Sequence, residues 1–464
     1  MKLALCWFRR DLRLADNPAL IAACEDAEGV LPVYVWSPED EHEWAPGGAG
    51  RWWLHESLAA LDASLRARGS RLLLRAGPAA ETLAALVAET GAEAVYWNRL
   101  YEPALVERDT AIKSRLGDAG VEARSFQAAL LHEPWALATG KGDPYRVFTP
   151  FWKAALKLPE PAPPCAPPAC LQPPTRWPAG QRLEELELLP SVRWYDGLAT
   201  AWTPGEDGAL ARLDAWCGDG LARYAEGRNR PDRDETSALS PYLHHGELSP
   251  RQAWHAAAAR RDEVPERDLE CWLRELGWRE FAHHVLYHFP RTPTEPMYEK
   301  YAAFPWRADH EAMLEAWRRG RTGIPIVDAG MRQLWTTGWM HNRVRMIAAS
   351  LLVKNIRAPW QAGARWFWDT LVDADLANNT MGWQWSAGSG ADAAPYFRIF
   401  NPVTQGEKFD PRGDYVKRWV PELAGLPPQK IHRPWEQPPA GYPAPVVDLK
   451  RSREEALAAL ASLR

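Results

Sequence analysis

Nine prolines fall between residues 158 and 178. Neither a helix nor a central strand can continue through such a tract, because proline lacks an N–H donor and its ring clashes with the preceding turn. The tract divides the 464-residue chain, and the hydrophobic period differs on its two sides. Before it, the apolar runs LALCWF (3–8), LPVYVW (31–36), RLLLR (71–75) and AVYW (94–97) are separated by the helical patterns WWLHESLAALDASLRAR (52–68) and AAETLAALVAE (79–89). That alternation predicts a Rossmann-like α/β domain with a parallel sheet and crossover helices. Beyond about residue 200 the spacing turns helical, as in Val344, Ile347, Leu351 and Leu352, and strand-like alternation almost disappears. The expected layout is an α/β domain at 1–130, a Pro-rich linker at 131–200 lying over the surface, and a mostly α-helical domain at 201–464. The glycine cluster GGAG (47–50) does not form GxGxxG between a strand and a helix, and reads as a loop.

Bulk properties narrow the function classes. A formal charge of -5 gives no basic coat, so any nucleic-acid contact must come from a local patch. Six cysteines (6, 24, 165, 170, 217 and 271) are scattered without a CxxC pair, which points to reduced cytosolic thiols and to no metal site. The N-terminal MKLALCWFRRDLR has too short an apolar run for a signal segment or a membrane span, so a soluble cytoplasmic protein is expected.

Tryptophan is the unusual component: 26 residues, sixteen of them beyond residue 200, more than a core alone requires. The segment DADLANNTMGWQW (373–385), running on into DAAPYFRIFNPVTQGEKFD (392–410), joins carboxylates, amides and indoles with no metal or nucleophile pattern. Asp373, Asp375, Asn378 and Asn379 can meet the polar edge of a heterocycle, while Trp383 and Trp385 can stack or lose an electron. In CWLRELGWREF (271–281) the helical period puts Trp272, Glu275, Trp278 and Arg279 on one stripe. This is either a Glu275–Arg279 helix pair or a carboxylate held between two indoles to grip a flat ligand. In GWMHNRVRMIAASLLVKN (338–355), Asn342 and Met346 lie one turn apart, with Arg343, Arg345 and Lys354 adding charge; a solvated basic face is the alternative to a pyrimidine-binding face. In the 224–253 segment, Arg228, Arg230 and Arg233 precede Thr236, Ser237 and Ser240, hydroxyls suited either to a phosphate or to an ordinary helix cap.

Together these segments resemble the DNA photolyase and cryptochrome family along nearly the whole chain. The motifs that carry the resemblance are CWFRRDLRLADNPAL, TSALSPYLHHGELSPR, ELGWREF, TGIPIVDAGMRQLWTTGWMHNRVRM, DADLANNTMGWQW with DAAPYFRIFNP, and EKFDPRGDYVKRWVPEL, in family order. The resemblance implies an antenna domain followed by a helical FAD-binding domain, with FAD contacts at Tyr224, Thr236, Ser237, Leu239, Ser240, Trp272, Arg279, Arg345, Asp373, Asp375 and Asn379. It implies an Arg345–Asp373 pair beside the flavin, Asn379 facing flavin N5, and a relay of Trp383, Trp360 and Trp306 that reduces the flavin.

On the substrate side, Glu275, Trp278, Asn342, Met346 and Trp385 match enzymes that split cyclobutane pyrimidine dimers, whereas relatives acting on 6-4 photoproducts carry histidine in place of Asn342. Plant-type cryptochromes tend to carry Asp, and animal ones Cys, where this chain has Asn379. Glu275 and Asn342 would assist catalysis; Arg228, Arg343, Arg398 and Gln405 match positions that touch the DNA backbone. The resemblance thus implies light-driven repair of UV-damaged DNA by a monomer without membrane attachment, with a cryptochrome-type photoreceptor as the alternative. The resemblance leaves four alternatives open for the antenna site, methenyltetrahydrofolate, a deazaflavin, another flavin or an empty pocket, without assigned residues, since Pro103, Ala104 and Leu105 follow WNRLYE where folate-binding relatives carry an acidic contact.

Overall fold

In the computed structural model, which describes residues 2–393 and 398–463, the first third of the chain forms five parallel strands. They are β1 (Leu3–Phe8), β2 (Gly29–Trp36), β3 (Leu73–Ala76), β4 (Ala94–Asn98) and β5 (Glu122–Phe126), connected by α1 (Pro18–Asp26), α2 (Gly48–Arg66), α3 (Ala79–Thr90) and α4 (Pro103–Asp118). The strand order is β3-β2-β1-β4-β5. Central β1 is covered on both faces: Ala4, Cys6 and Phe8 pack with Leu20, Leu54 and Leu58, while Leu3, Leu5 and Trp7 pack with Leu83, Leu86 and Ile112. Double burial is why this strand reads as an unbroken apolar run. The sequence reading does not anticipate β5, whose EARSF alternates exposed and half-buried residues at the sheet edge and offers no apolar run.

The loop expected at GGAG is instead the start of α2, with Gly47 as its N-cap residue. The reason is tertiary. The Gly48 amide donates to Asp369 Oδ1 at 2.8 Å, and a Cβ on Gly47 would stand 2.4 Å from the Asp369 backbone. The glycines admit the helical half of the chain against the α2 terminus, and α2 then serves both halves. Leu54 and Leu58 face the sheet, whereas Trp52 and Trp53 join a core with Leu213, Tyr242 and Leu248.

Residues 158–178 contain neither helix nor strand, and they are laced onto the α/β domain by backbone bonds such as Val30 N to Gln172 O at 2.8 Å. Leu171, 1% exposed, plugs the core on one sheet face. The 131–200 stretch also carries α5 (Phe148–Ala155), whose Phe148 and Phe151 pack with Phe281 and Val285 of the long helix Glu266–His288. That helix is packed, whereas most of 158–178 is exposed or half-buried.

The remainder is helical around a core that includes Val327, Leu334, Val344, Ile347, Leu351, Leu352, Phe367 and Trp383. Among the described residues, no helix is long and apolar enough to cross a membrane, no group of three or more His, Cys, Asp or Glu could hold a metal ion, and all six cysteines are free.

Polar groups close the seam between the halves. Glu247, fully buried, accepts from Trp53 Nε1 at 3.0 Å, from the Gly205 amide at 2.6 Å and from the Ser57 hydroxyl. Asp16, also fully buried, accepts from Ser249 Oγ at 2.5 Å, from the Cys165 amide at 3.1 Å and from Arg251. Glu206 receives the amides of Leu14 and Ala15, both at 2.8 Å.

Candidate active site

Three helices and one turn enclose a cavity of about 570 Å³ in the helical half. The helix Glu266–His288 contributes Trp272, Glu275, Leu276, Trp278 and Arg279, spaced at three and four residues along one face. The helix Asn342–Ser350 contributes Asn342, Arg345, Met346 and Ala349 in the same rhythm, and the helix Leu376–Ala387 contributes Asn378, Asn379, Trp383 and Ser386. The turn at 236–240 adds Ser237, Leu239 and Ser240.

Side-chain caps start two of these helices where the site needs them. Asp375 caps the Leu376 helix by accepting the Asn378 amide at 2.8 Å, and its Oδ1 also takes Asn378 Nδ2 at 2.7 Å. Burial alone would lift the Asp375 carboxyl, but His283 at 3.3 Å and His244 at 3.7 Å hold it well below the carboxylate range. The His341 ring accepts the Arg343 amide at 3.1 Å and so caps the Asn342 helix. Burial first, then the surrounding arginines, lower His341 to about 3, so it stays neutral and able to accept. In the 236–240 turn Ala238 has φ 51°, a left-handed conformation costly for a residue with a Cβ. Arg212 braces that turn from behind, with Nε on Ser237 O at 2.8 Å and a terminal nitrogen on Thr236 O at 3.1 Å.

Arg345 bonds both carboxylate oxygens of Asp373, at 3.1 and 2.8 Å, and Ser240 Oγ donates to the same carboxylate at 2.6 Å. Asn379 Nδ2 donates to Ala364 O at 3.0 Å, which fixes its amide plane at the wall. Glu275 does not take Arg279, its helix neighbour; it pairs with Arg228, and Arg279 donates to Ala129 O at 2.6 Å instead. The Trp278 ring lies 3.7 Å from that of Phe148, nearly parallel to it.

Trp383 seats against the Trp360–Thr370 helix only because residue 363 is glycine: a Cβ there would stand 2.1 Å from the indole. Phe367, one turn on, meets Trp383 at 5.0 Å between ring centres. Trp360 precedes Gly363 by three residues on the same face and is buried at 2%. The Arg307 amide donates to Arg357 O at 2.9 Å, which brings half-buried Trp306 beside the chain leading into Trp360.

The cavity therefore gathers Tyr224, Arg228, Ser237, Leu239, Ser240, Trp272, Glu275, Trp278, Arg279, Asn342, Arg345, Met346, Asp373, Asp375, Asn379, Trp383 and Trp385. Thr236, Trp360 and Trp306 are not among its lining residues. Arg343 donates to Asn229 Oδ1 at 2.5 Å and lies over Phe409, on the helix that carries half-buried Gln405. Exposed Arg398 borders a small cleft with Trp385 and Phe400. Residues 394–397 of the motif DAAPYFRIFNP lie outside the described residues. Sequence reasoning missed Arg212, His244, His283, Phe148 and Phe367. Phe367 was within reach of an apolar-stripe argument; the others act through contacts distant in the chain and leave no local pattern.

A second pair of cavities lies where the sheet meets the helical half. Arg10, Glu41, Leu105 and Trp368 border both, with Trp7, Tyr34 and Trp36 at the carboxyl ends of β1 and β2 in one of them. Strand order reverses beside β1, the switch point at which α/β sheets commonly hold ligands.

Family models match in two blocks: residues 4–169 match "DNA photolyase" and residues 272–462 match "FAD binding domain of DNA photolyase". A deoxyribodipyrimidine photo-lyase of Agrobacterium fabrum is 49% identical over 99% of this chain and 98% of its own. Cryptochrome-1 of Arabidopsis thaliana is 38% identical over 99% of this chain and 70% of its own. The crystal structure of a bacterial class III photolyase from Agrobacterium tumefaciens superposes with a TM-score of 0.96 at 48% identity, covering 100% of this chain and 98% of that one.

Proposed function

The chain belongs to the DNA photolyase family, and from that premise we propose that it opens cyclobutane pyrimidine dimers in DNA under blue light. The observation that carries the proposal is a single cavity in which flavin-type and pyrimidine-type partners share one wall. Its volume of about 570 Å³ lies within the usual range for cofactor sites, and its lining mixes flat apolar rings with a few fixed polar groups. These residues fit FAD: Ser237 and Ser240 offer hydroxyls, Arg279, Asp375 and Asn379 offer oriented polar edges, and Tyr224, Leu239 and Trp272 offer apolar surface. FAD, once bound and reduced, would supply the photoexcitable electron for opening the two ring bonds of the dimer, with no net redox change.

The protein's own part is placement. The Arg345–Asp373 pair sets a fixed charge beside the cofactor ring. Glu275 accepts a hydrogen bond from a ring N–H of the flipped-out dimer and Asn342 meets a carbonyl, while Trp278, backed by Phe148, and Trp385 pack against the extruded bases. Trp383, Trp360 and Trp306 form a path from the cavity towards the surface along which an electron can reach the cofactor. Arg343, Arg398 and Gln405 meet the DNA backbone, giving damage-directed but sequence-tolerant binding. The cavities at the sheet switch point are the place for a second chromophore.

The decisive experiment is anaerobic repair of a cyclobutane-dimer oligonucleotide by the chemically reduced protein, with blue light and in darkness. Restored thymine absorbance in the light alone is the expected result, with a lower yield per photon for Glu275→Ala. No restoration by protein that retains FAD would overturn repair and leave a blue-light receptor, the second reading favoured by the similarity to Arabidopsis cryptochrome-1.

A further inference from the structure

Arg228 and Glu275 meet in the cavity wall as an ion pair, with side chains 25% and 28% exposed. The same guanidinium nitrogen donates to Glu275 Oε1 and, at 3.3 Å, to Cys271 Sγ, while the guanidinium carbon lies 5.6 Å from the Tyr224 ring centre. That nitrogen is committed to the protein, so the DNA phosphate that family resemblance gives Arg228 has only the guanidinium's remaining N–H groups. Burial leaves the Glu275 carboxyl raised above its usual range, and Arg228 is the chief group that limits the rise. Arg274 on its own helix adds a weaker pull, and Tyr224 faces it from the neighbouring turn. Arg343 and His341, from the Asn342 helix, face Arg228. Arg343 is turned to Asn229 and Arg279 to Ala129, so neither is hydrogen-bonded to Glu275.

We infer that Arg228 is a positioning residue that keeps Glu275 ionised and aimed, so that the cavity presents an acceptor-only carboxylate to a ring N–H of the lesion. This rests on the reading of the cavity as the lesion site. A carboxylate has no proton to donate, and its charge-assisted bond to an N–H is about twice as strong as a neutral one.

The test uses the FAD-loaded protein and four variants, Arg228→Gln, Arg228→Lys, Glu275→Gln and the Arg228→Gln/Glu275→Gln double, each checked for retained flavin absorbance and melting temperature. Infrared titration follows the carbonyl stretch of a protonated Glu275, identified by its disappearance in the Arg228→Gln/Glu275→Gln double variant. At neutral pH the band is expected in Arg228→Gln and absent from both the wild type and Arg228→Lys. Affinity for a thymine-dimer oligonucleotide should fall about tenfold in Arg228→Gln with an unchanged salt slope, and recover in Arg228→Lys. An ionised Glu275 in Arg228→Gln, or a salt slope lower by about one, would overturn the inference and return Arg228 to a phosphate. Unaltered lesion affinity in Glu275→Gln would instead remove the lesion-site reading, whatever the infrared result.

Discussion

The seam between the two halves and the cavity use the same residue types to opposite ends. At the seam, Asp16 and Glu247 are fully buried and each takes three or more donors from the protein itself. In the cavity, Glu275 keeps 28% of its side chain exposed and holds one arginine, while Asn342 and Ser240 are exposed. A buried charge costs several kcal/mol unless its lone pairs are met, so a seam must saturate its carboxylates. A binding site must leave some of that capacity unspent, because the ligand completes it. Residue type does not distinguish the two regions, and neither does location alone: Asp373 and Asp375 line the cavity yet are filled like seam carboxylates, whereas Glu275 keeps capacity for a ligand.

Four experiments bear on the difference between seam and cavity. Asp16→Ala, which leaves Arg251 and Ser249 without their acceptor, should cost about 3 kcal/mol in denaturant unfolding. A loss below about 1 kcal/mol would mean that the seam carboxylates do not hold the halves together. Glu247→Gln should act through pH. Burial lifts that carboxyl from 4.5 to about 8 against its three donors. Its contribution to stability is therefore complete below about pH 4.5 and is lost as pH rises towards 8, at no more than about 1.4 kcal/mol per unit. The variant should flatten melting temperature against pH over that window; an unchanged curve would show a carboxylate that stays ionised among its donors.

Cavity changes should cost less stability and more function. Trp383→Phe should block light-driven reduction of oxidised FAD for about 1 kcal/mol of stability, while sparing repair by chemically reduced protein. Persisting photoreduction would remove Trp383 from the electron path. Arg343→Ala should barely alter stability yet lower the salt slope of damaged-DNA binding by about one, and an unaltered slope would place Arg343 away from phosphate.

Much of the site is legible in the sequence because helices copy spacing into geometry. Trp272, Glu275, Trp278 and Arg279 share a face by period alone, and so do Asn342 and Met346. Four strands were legible as apolar runs: β2, β1 and β4 because a central parallel strand must be apolar on both sides, and edge strand β3 because its Leu73 and Leu74 are both buried. Edge strand β5 was not, because one side of its EARSF faces water.

The sequence by itself determined the change of architecture, the helical faces that bear the site and the family to which they point, since periodicity, proline and motif order are local properties. Only the tertiary structure decided the partners. It turned GGAG into a helix start through Asp369, gave Glu275 to Arg228 rather than to Arg279, and put two histidines beside Asp375. Each choice joins groups far apart in the chain, and electrostatic pairing in a buried wall depends on distance and desolvation, which no local pattern records.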